Sequence, residues 1–171
     1  MVRSEKKLKE LAAKLAGSNK AAVITSIKEL RNEEPFEGAI SLLSGLYDTT
    51  SDSGTRKTIE EFCNDIKDQT ARPEIIAEIR KPRSQETISM LVSSCWQSGL
   101  DYSEYIKDIA HVFLTGNYAT AIECMTVIEE AAVNCTREVK QETIRMIEES
   151  PLAGLNEKSS LTLELIGILE R

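Results

Sequence analysis

A chain of 171 residues with 41% apolar and 29% charged side chains is long enough to bury a core and too apolar to stay unfolded. Eight glycines and four prolines are too few for an all-β protein, and no apolar run approaches the length that crosses a bilayer, so the composition predicts a soluble, non-membrane chain. The net charge of −7 is uneven: residues 1–31 hold eight Lys and Arg against three Glu, a local +5 that leaves −12 for the rest, which repels phosphate backbones and argues against a nucleic-acid partner.

The opening "MVRSEKKLKE" is charged from the start and has no apolar signal region, so a cytoplasmic location is expected. "SEKKLKELAAKLAG" places Leu8, Leu11, Ala12 and Leu15 on one helical face, and residues 1–17 read as an N-terminal capping helix with a solvated basic side. From Asn19, "NKAAVITSIKEL" sets Val23, Ser26, Ile27 and Leu30 at the offsets +3, +4 and +7 of a helix face. Pro35 opens "PFEGAISLLSGLYD", with Ile40, Leu43 and Leu46 on one side; a proline at the first helical position loses no hydrogen bond. From Thr55 the same offsets hold Ile59, Phe62, Cys63 and Ile66, with Ser53 as the cap.

Pro73 leads the helical text "PEIIAEIRK", and from Ser84, a cap paired with Thr87, the stripe is Ile88, Leu91, Val92 and Cys95. Asp101 precedes "YSEYIKDIAHVF", whose Tyr102, Tyr105, Ile106, Ile109, Ala110 and Phe113 share a face. From Asn117 the stripe is Ala121, Cys124, Met125 and Ile128. "REVKQETIRMIEE" carries Val139, Ile144 and Ile147, and a last copy from Lys158 gives Thr162, Leu165, Ile166 and Leu169, so 136–171 read as a C-terminal helix pair. Copies starting at 19, 55, 84, 117 and 158, each with a second helix in the gap, predict an all-α array of helical hairpins over 1–171 as a single domain.

The stretch "PFEGAISLLSGLYDTTSDSGTRKTIEEFCNDIKD" resembles a HEAT repeat: a proline-led first helix, an Asp-rich turn, a Thr-Arg pair at Arg56, then a second helix with the I-x-x-F-C-x-x-I stripe. The close match covers about one repeat, while helical pairing at similar spacing covers nearly the whole chain. The Asp-turn and Arg pairing is missing from the copies at Ser84 and Asn117, so the resemblance is to a degenerate HEAT-like or armadillo-like array. It implies a right-handed α-α superhelix of about four to five hairpins whose second helices line a concave surface. On that placement the face presents Glu60, Glu61, Asn64, Asp65, Glu86, Ser93, Gln97, Glu123 and Glu130, and it is either a solvated surface or a dock for a basic helix or tail.

Residues with chemical capacity are sparse. Cys63, Cys95 and Cys124 fall on core positions and read as buried free thiols, as small hydrophobes do; Cys135, at a helix end, is the most accessible. The single His111 lies off its apolar stripe and reads as a surface imidazole, with no ligand spacing around it for a metal. There is no phosphate-loop pattern. The run Arg80, Lys81, Arg83 reads as an answer to a helix dipole, and Trp96 and Tyr118 as packing residues with some capacity to anchor a partner. The expectation is therefore a non-catalytic interaction or scaffold module that needs no cofactor and binds a protein or peptide with a basic segment. Charge reversal at Glu60 and Glu61 is expected to weaken that binding at little cost in stability. The alternatives are a HEAT-like enzyme or enzyme-associated protein, of the DNA-base repair or chromophore lyase and chaperone types, and weak self-association between the acidic body and the basic N-terminus of different copies.

Overall fold

The computed structural model describes residues 2–33, 35–153 and 158–171, which form ten α-helices and two two-residue strands. No helix among these residues is long and apolar enough to cross a membrane. The contacts group the chain into two compact units, Met1–Ser98 and Gly99–Arg171.

The first unit holds α1 (Glu5–Leu15), α2 (Lys20–Leu30), α3 (Ala39–Thr49), α4 (Ser53–Asn64), α5 (Arg72–Ile79) and α6 (Gln85–Gln97). Consecutive helices pair into hairpins, α1 with α2, α3 with α4 and α5 with α6. The hairpins then stack like on like: α1 on α3 and α3 on α5 through their first helices, α2 on α4 and α4 on α6 through their second. The helix read as an N-terminal cap, α1, pairs with α2 and packs on α3. Stacking is obligatory because each hairpin has apolar side chains on faces it cannot cover alone. Ile27, Leu43, Ile59, Ile75 and Leu91 are fully buried by it, each worth about 1.5–3 kcal/mol.

Local chemistry sets the helix starts. Ser4, Asn19, Asp52 and Ser84 each accept the backbone N–H three residues on, from Lys7, Ala22, Thr55 and Thr87. The cap of α4 is Asp52 rather than Ser53, because the Asp52 carboxylate takes both the N–H and the hydroxyl of Thr55 at 2.9 and 2.8 Å. Pro73 lies in the first turn of α5, as expected.

Pro35 does not open a helix. The residues after it, β2 (Phe36–Glu37), pair in parallel with β1 (Val2–Arg3), and Gly38 then turns the chain at φ 97° before α3 begins. Only glycine suits this position: its conformation is left-handed, and a Cβ there would lie 2.6 Å from Leu8 Cδ2. With no side chain of its own to cap α3, the chain uses Glu74 from α5, whose carboxylate accepts the N–H of Gly38 at 3.0 Å and of Ser41 at 3.0 Å.

The second unit repeats the scheme with α7 (Ile106–Thr115), α8 (Tyr118–Ala132), α9 (Arg137–Glu148) and α10 (Ser159–Glu170). Here α7 pairs with α8 and α9 with α10, while α7 packs on α9 and α8 on α10. A 3-10 turn, Ser103–Tyr105, occupies the first part of the segment read as one helix from Tyr102, and Asp101 accepts the Ser103 N–H at 2.9 Å. Asn117 and Thr136 cap α8 and α9. Ile106, Ile109, Phe113, Ile128 and Ile147 are fully buried. The ammonium of Lys158 donates to the carbonyls of Phe113, Leu114 and Gly116 at 3.1, 2.7 and 2.8 Å, satisfying the C-terminal end of α7.

Candidate functional site

Seven of the nine residues expected on the second-helix surface fall in the first unit, where separate polar bonds tie them to neighbouring helices. Arg31, just past α2, meets Asp65 at 3.0 Å and Glu61 at 4.0 Å across the α2–α4 seam. Asn64 donates to Gln97 at 2.8 Å across the α4–α6 seam, and Gln97 in turn donates to Ser93 at 2.8 Å. Arg56 donates to Glu86 at 2.6 Å, lies 4.7 Å over the ring of Tyr47 and also holds the Thr50 carbonyl at 3.0 Å.

Glu60 is less available than the sequence suggested. It accepts the Tyr47 hydroxyl at 2.7 Å, and burial together with that bond pushes the Tyr47 phenol well above its ordinary range. This surface is therefore polar rather than freely acidic: Arg31 and Arg56, not foreseen as part of it, each hold carboxylates of the neighbouring hairpin. Beside it is a more apolar hollow of about 460 Å³, lined by Leu30, Phe36, Ile40, Phe62 and Ile66 with Arg31 and Asp65 at its rim.

The basic run after α5 has a structural task that its sequence did not reveal. Glu78 is buried, and both Lys81 and Arg83 donate to its carboxylate, Arg83 at 2.6 Å. Burial works to raise the Glu78 pKa, but the two cations outweigh it and hold the carboxyl below its ordinary value. Lys81 also reaches Ser41 on α3 at 3.2 Å, so the cluster ties α5 to its neighbour.

Glu123 and Glu130, the other two expected residues, lie on α8 in the second unit, where the electrostatics are different. The first unit has fifteen residues of each sign; the second has thirteen carboxylates against six cations and holds the whole net charge of −7. Its two second helices, α8 and α10, carry Glu123, Glu129, Glu130, Glu164 and Glu170 and not one Lys or Arg. Glu129, Glu130 and Glu164 are exposed and have no ion-pair partner among the described residues.

The same helices expose apolar side chains: Tyr118 at 40%, Ile122 at 45% and Leu163 at 73%, with Val133 at 82% just past α8. Tyr118, Ile122, Glu129 and Val133 follow at steps of four, seven and four, which places them on one face of α8. Tyr118 was legible as an anchor. Ile122 was not, because the stripe through Ala121, Cys124 and Ile128 accounts for the core and leaves it without a role.

Other candidates have ordinary surroundings. Cys63, Cys95 and Cys124 are completely buried, and burial pushes the Cys63 thiol up to about 12. Cys135 is half-buried, its pKa also raised by burial. His111 is exposed, and among the described residues no group of His, Cys, Asp and Glu is arranged to hold a metal ion. In comparisons with known proteins, no family model, curated protein or solved structure matches this chain.

Proposed function

We propose that this chain is a non-catalytic, HEAT-like interaction module that binds a basic, amphipathic segment of a partner protein on the second helices of its C-terminal unit. The observation that carries this reading is the composition of α8 and α10: five glutamates, no cation, and exposed Tyr118, Ile122 and Leu163. Carboxylates steer a Lys- or Arg-bearing segment to the surface, and apolar side chains give it anchorage once water is expelled. The stacking of like helices on like, expected of a hairpin array, supports the repeat reading and supplies a stiff platform for such a partner.

The test is a helical peptide with leucines at i and i+4 flanked by lysines, titrated into the full chain and into Ile122→Ser with Glu129→Lys. The reading expects binding that weakens with salt and falls by about tenfold or more in the double variant, with an unchanged unfolding midpoint. Equal binding by the variant overturns it, and so does equal binding of a lysine peptide without the leucines.

A further inference from the structure

The six cations of the second unit are not spread through it. Lys107 is paired with Glu142, and Lys158 sits on the carbonyls of α7. The remaining four, Arg137, Lys140, Arg145 and Arg171, all line one open cleft of about 980 Å³ between α9 and the end of α10. None of the four lies within ion-pairing distance of a carboxylate among the described residues. In a unit with thirteen carboxylates, these four cations converge on one hollow, where Glu148 and Glu170 also stand.

Helix electrostatics accounts for Arg145, in the last turn of α9, and for Arg171, at the end of α10, but not for the other two. Arg137 and Lys140 stand at the N-terminal end of α9, where the positive end of the dipole disfavours a cation by about 0.3–1 kcal/mol each. The residue that complements the dipole there is Glu138, whose carboxyl is held below its ordinary value by its own backbone N–H and by Thr136. Elsewhere the fold uses lysines where a dipole wants them, as with Lys67 on the Ser98 carbonyl at 2.6 Å after α6. Arg137, Gln141, Ile144 and Glu148 recur at helical spacing, so one face of α9 forms the wall, and half-buried Ile144 gives it an apolar patch between polar ends.

We propose that this cleft binds a short acidic segment of a protein partner, offering it three arginines and a lysine against only Glu148 and Glu170 in the same lining. Guanidinium groups are suited to the task because each presents a planar pair of donors to a carboxylate. A short segment is favoured over a nucleic acid: a long polyanion would run out of the cleft onto the rest of a unit in which carboxylates outnumber cations thirteen to six. The site is opposite in sign to the α8–α10 surface and meets it only at Glu170, at the end of α10.

The experiment is titration of a labelled oligo-glutamate peptide into the full chain at low salt, beside the variant Arg137→Glu with Arg145→Glu. Both positions are exposed; glutamate at 137 suits the helix start while glutamate at 145 opposes the dipole in the last turn, so the variant is expected to fold with at most a small drop in thermal midpoint. The expected result is salt-sensitive binding by the wild type and a loss of about tenfold or more in the variant. Absence of binding by the wild type at low salt overturns the proposal, as does equal binding by the variant. Tighter binding of a single-stranded oligonucleotide than of the peptide overturns it in favour of nucleic acid. A concentration-dependent mass abolished by the variant, without peptide binding, overturns it in favour of a second copy of this chain.

Discussion

Asp48, in the last turn of α3, accepts the Ser84 N–H at 2.9 Å and the Thr87 hydroxyl at 2.6 Å, so a carboxylate from one hairpin closes the start of the second helix of the next. Those bonds hold its pKa at about 2, against an ordinary 3.8. A group whose folded pKa is depressed contributes its stability in full above the ordinary value and loses it as pH falls toward the folded one. Asp48→Asn is expected to lower stability at neutral pH by about 1 kcal/mol and to flatten the acid limb between about pH 4 and 2. Urea unfolding at a series of pH values measures both. A residual slope from Asp52, also held at about 2 by Thr55, is expected to remain.

Glu78 answers for two cations at once. Glu78→Gln leaves the largely buried Arg83 and the half-exposed Lys81 without their carboxylate, and is expected to cost about 3 kcal/mol. Glu78→Met with Arg83→Met removes both members of the buried pair and is expected to cost less than the single change. Denaturant unfolding of the two variants decides it; a worse double variant makes Arg83 a packing residue first and a counter-charge second.

The two glycines at positive φ separate conformational strain from steric conflict. Gly99, at φ 69°, has open space where a Cβ would sit, so Gly99→Ala is expected to cost only the left-handed penalty of about 1–2 kcal/mol. Gly38→Ala carries that penalty and also drives a methyl into Leu8. It is expected to be the more destabilising by about 1 kcal/mol or more, read as a larger drop in unfolding midpoint. Equal losses mean that Leu8 moves aside freely.

Charge reversal at Glu60 and Glu61 is expected from the sequence to cost little stability, and the structure splits the pair. Glu60→Lys removes the acceptor of the Tyr47 hydroxyl and sets a second cation near Arg56, so a loss of about 1–2 kcal/mol is expected. Glu61→Lys, at an exposed side chain 4.0 Å from Arg31, is expected to stay within about 0.5 kcal/mol of wild type. Thermal unfolding of the two single variants distinguishes them.

Periodicity carried the architecture where the relevant contacts were local. Ile88, Leu91, Val92 and Cys95 were placed on one face by spacing alone, and all four are buried. The reading of Pro35 failed because its decisive contacts are distant in the chain: strand pairing with Val2–Arg3, and a cap supplied by Glu74. The same limit applies to the polar surface. The charges of Glu61, Asp65 and Glu86 are visible in the sequence, but their neutralisation by Arg31 and Arg56 arises only when hairpins stack. The C-terminal unit was the more legible in principle, since the absence of Lys and Arg from α8 and α10 is written in the chain. What sequence could not supply was the exposure of Ile122 and Leu163, which depends on where neighbouring helices stop.

The buried thiols make the molecule its own reporter. Cys63, Cys95 and Cys124 stand one each in α4, α6 and α8, the second helices of three different hairpins, and none has any exposed surface. A thiol reagent reaches each only when its surroundings open, so the three labelling rates under native conditions give three local opening free energies without a single substitution. Half-buried Cys135 is expected to react first, and a small-molecule thiol sets the unprotected rate. If the three rates differ, the three hairpins open separately; if they coincide, they open together.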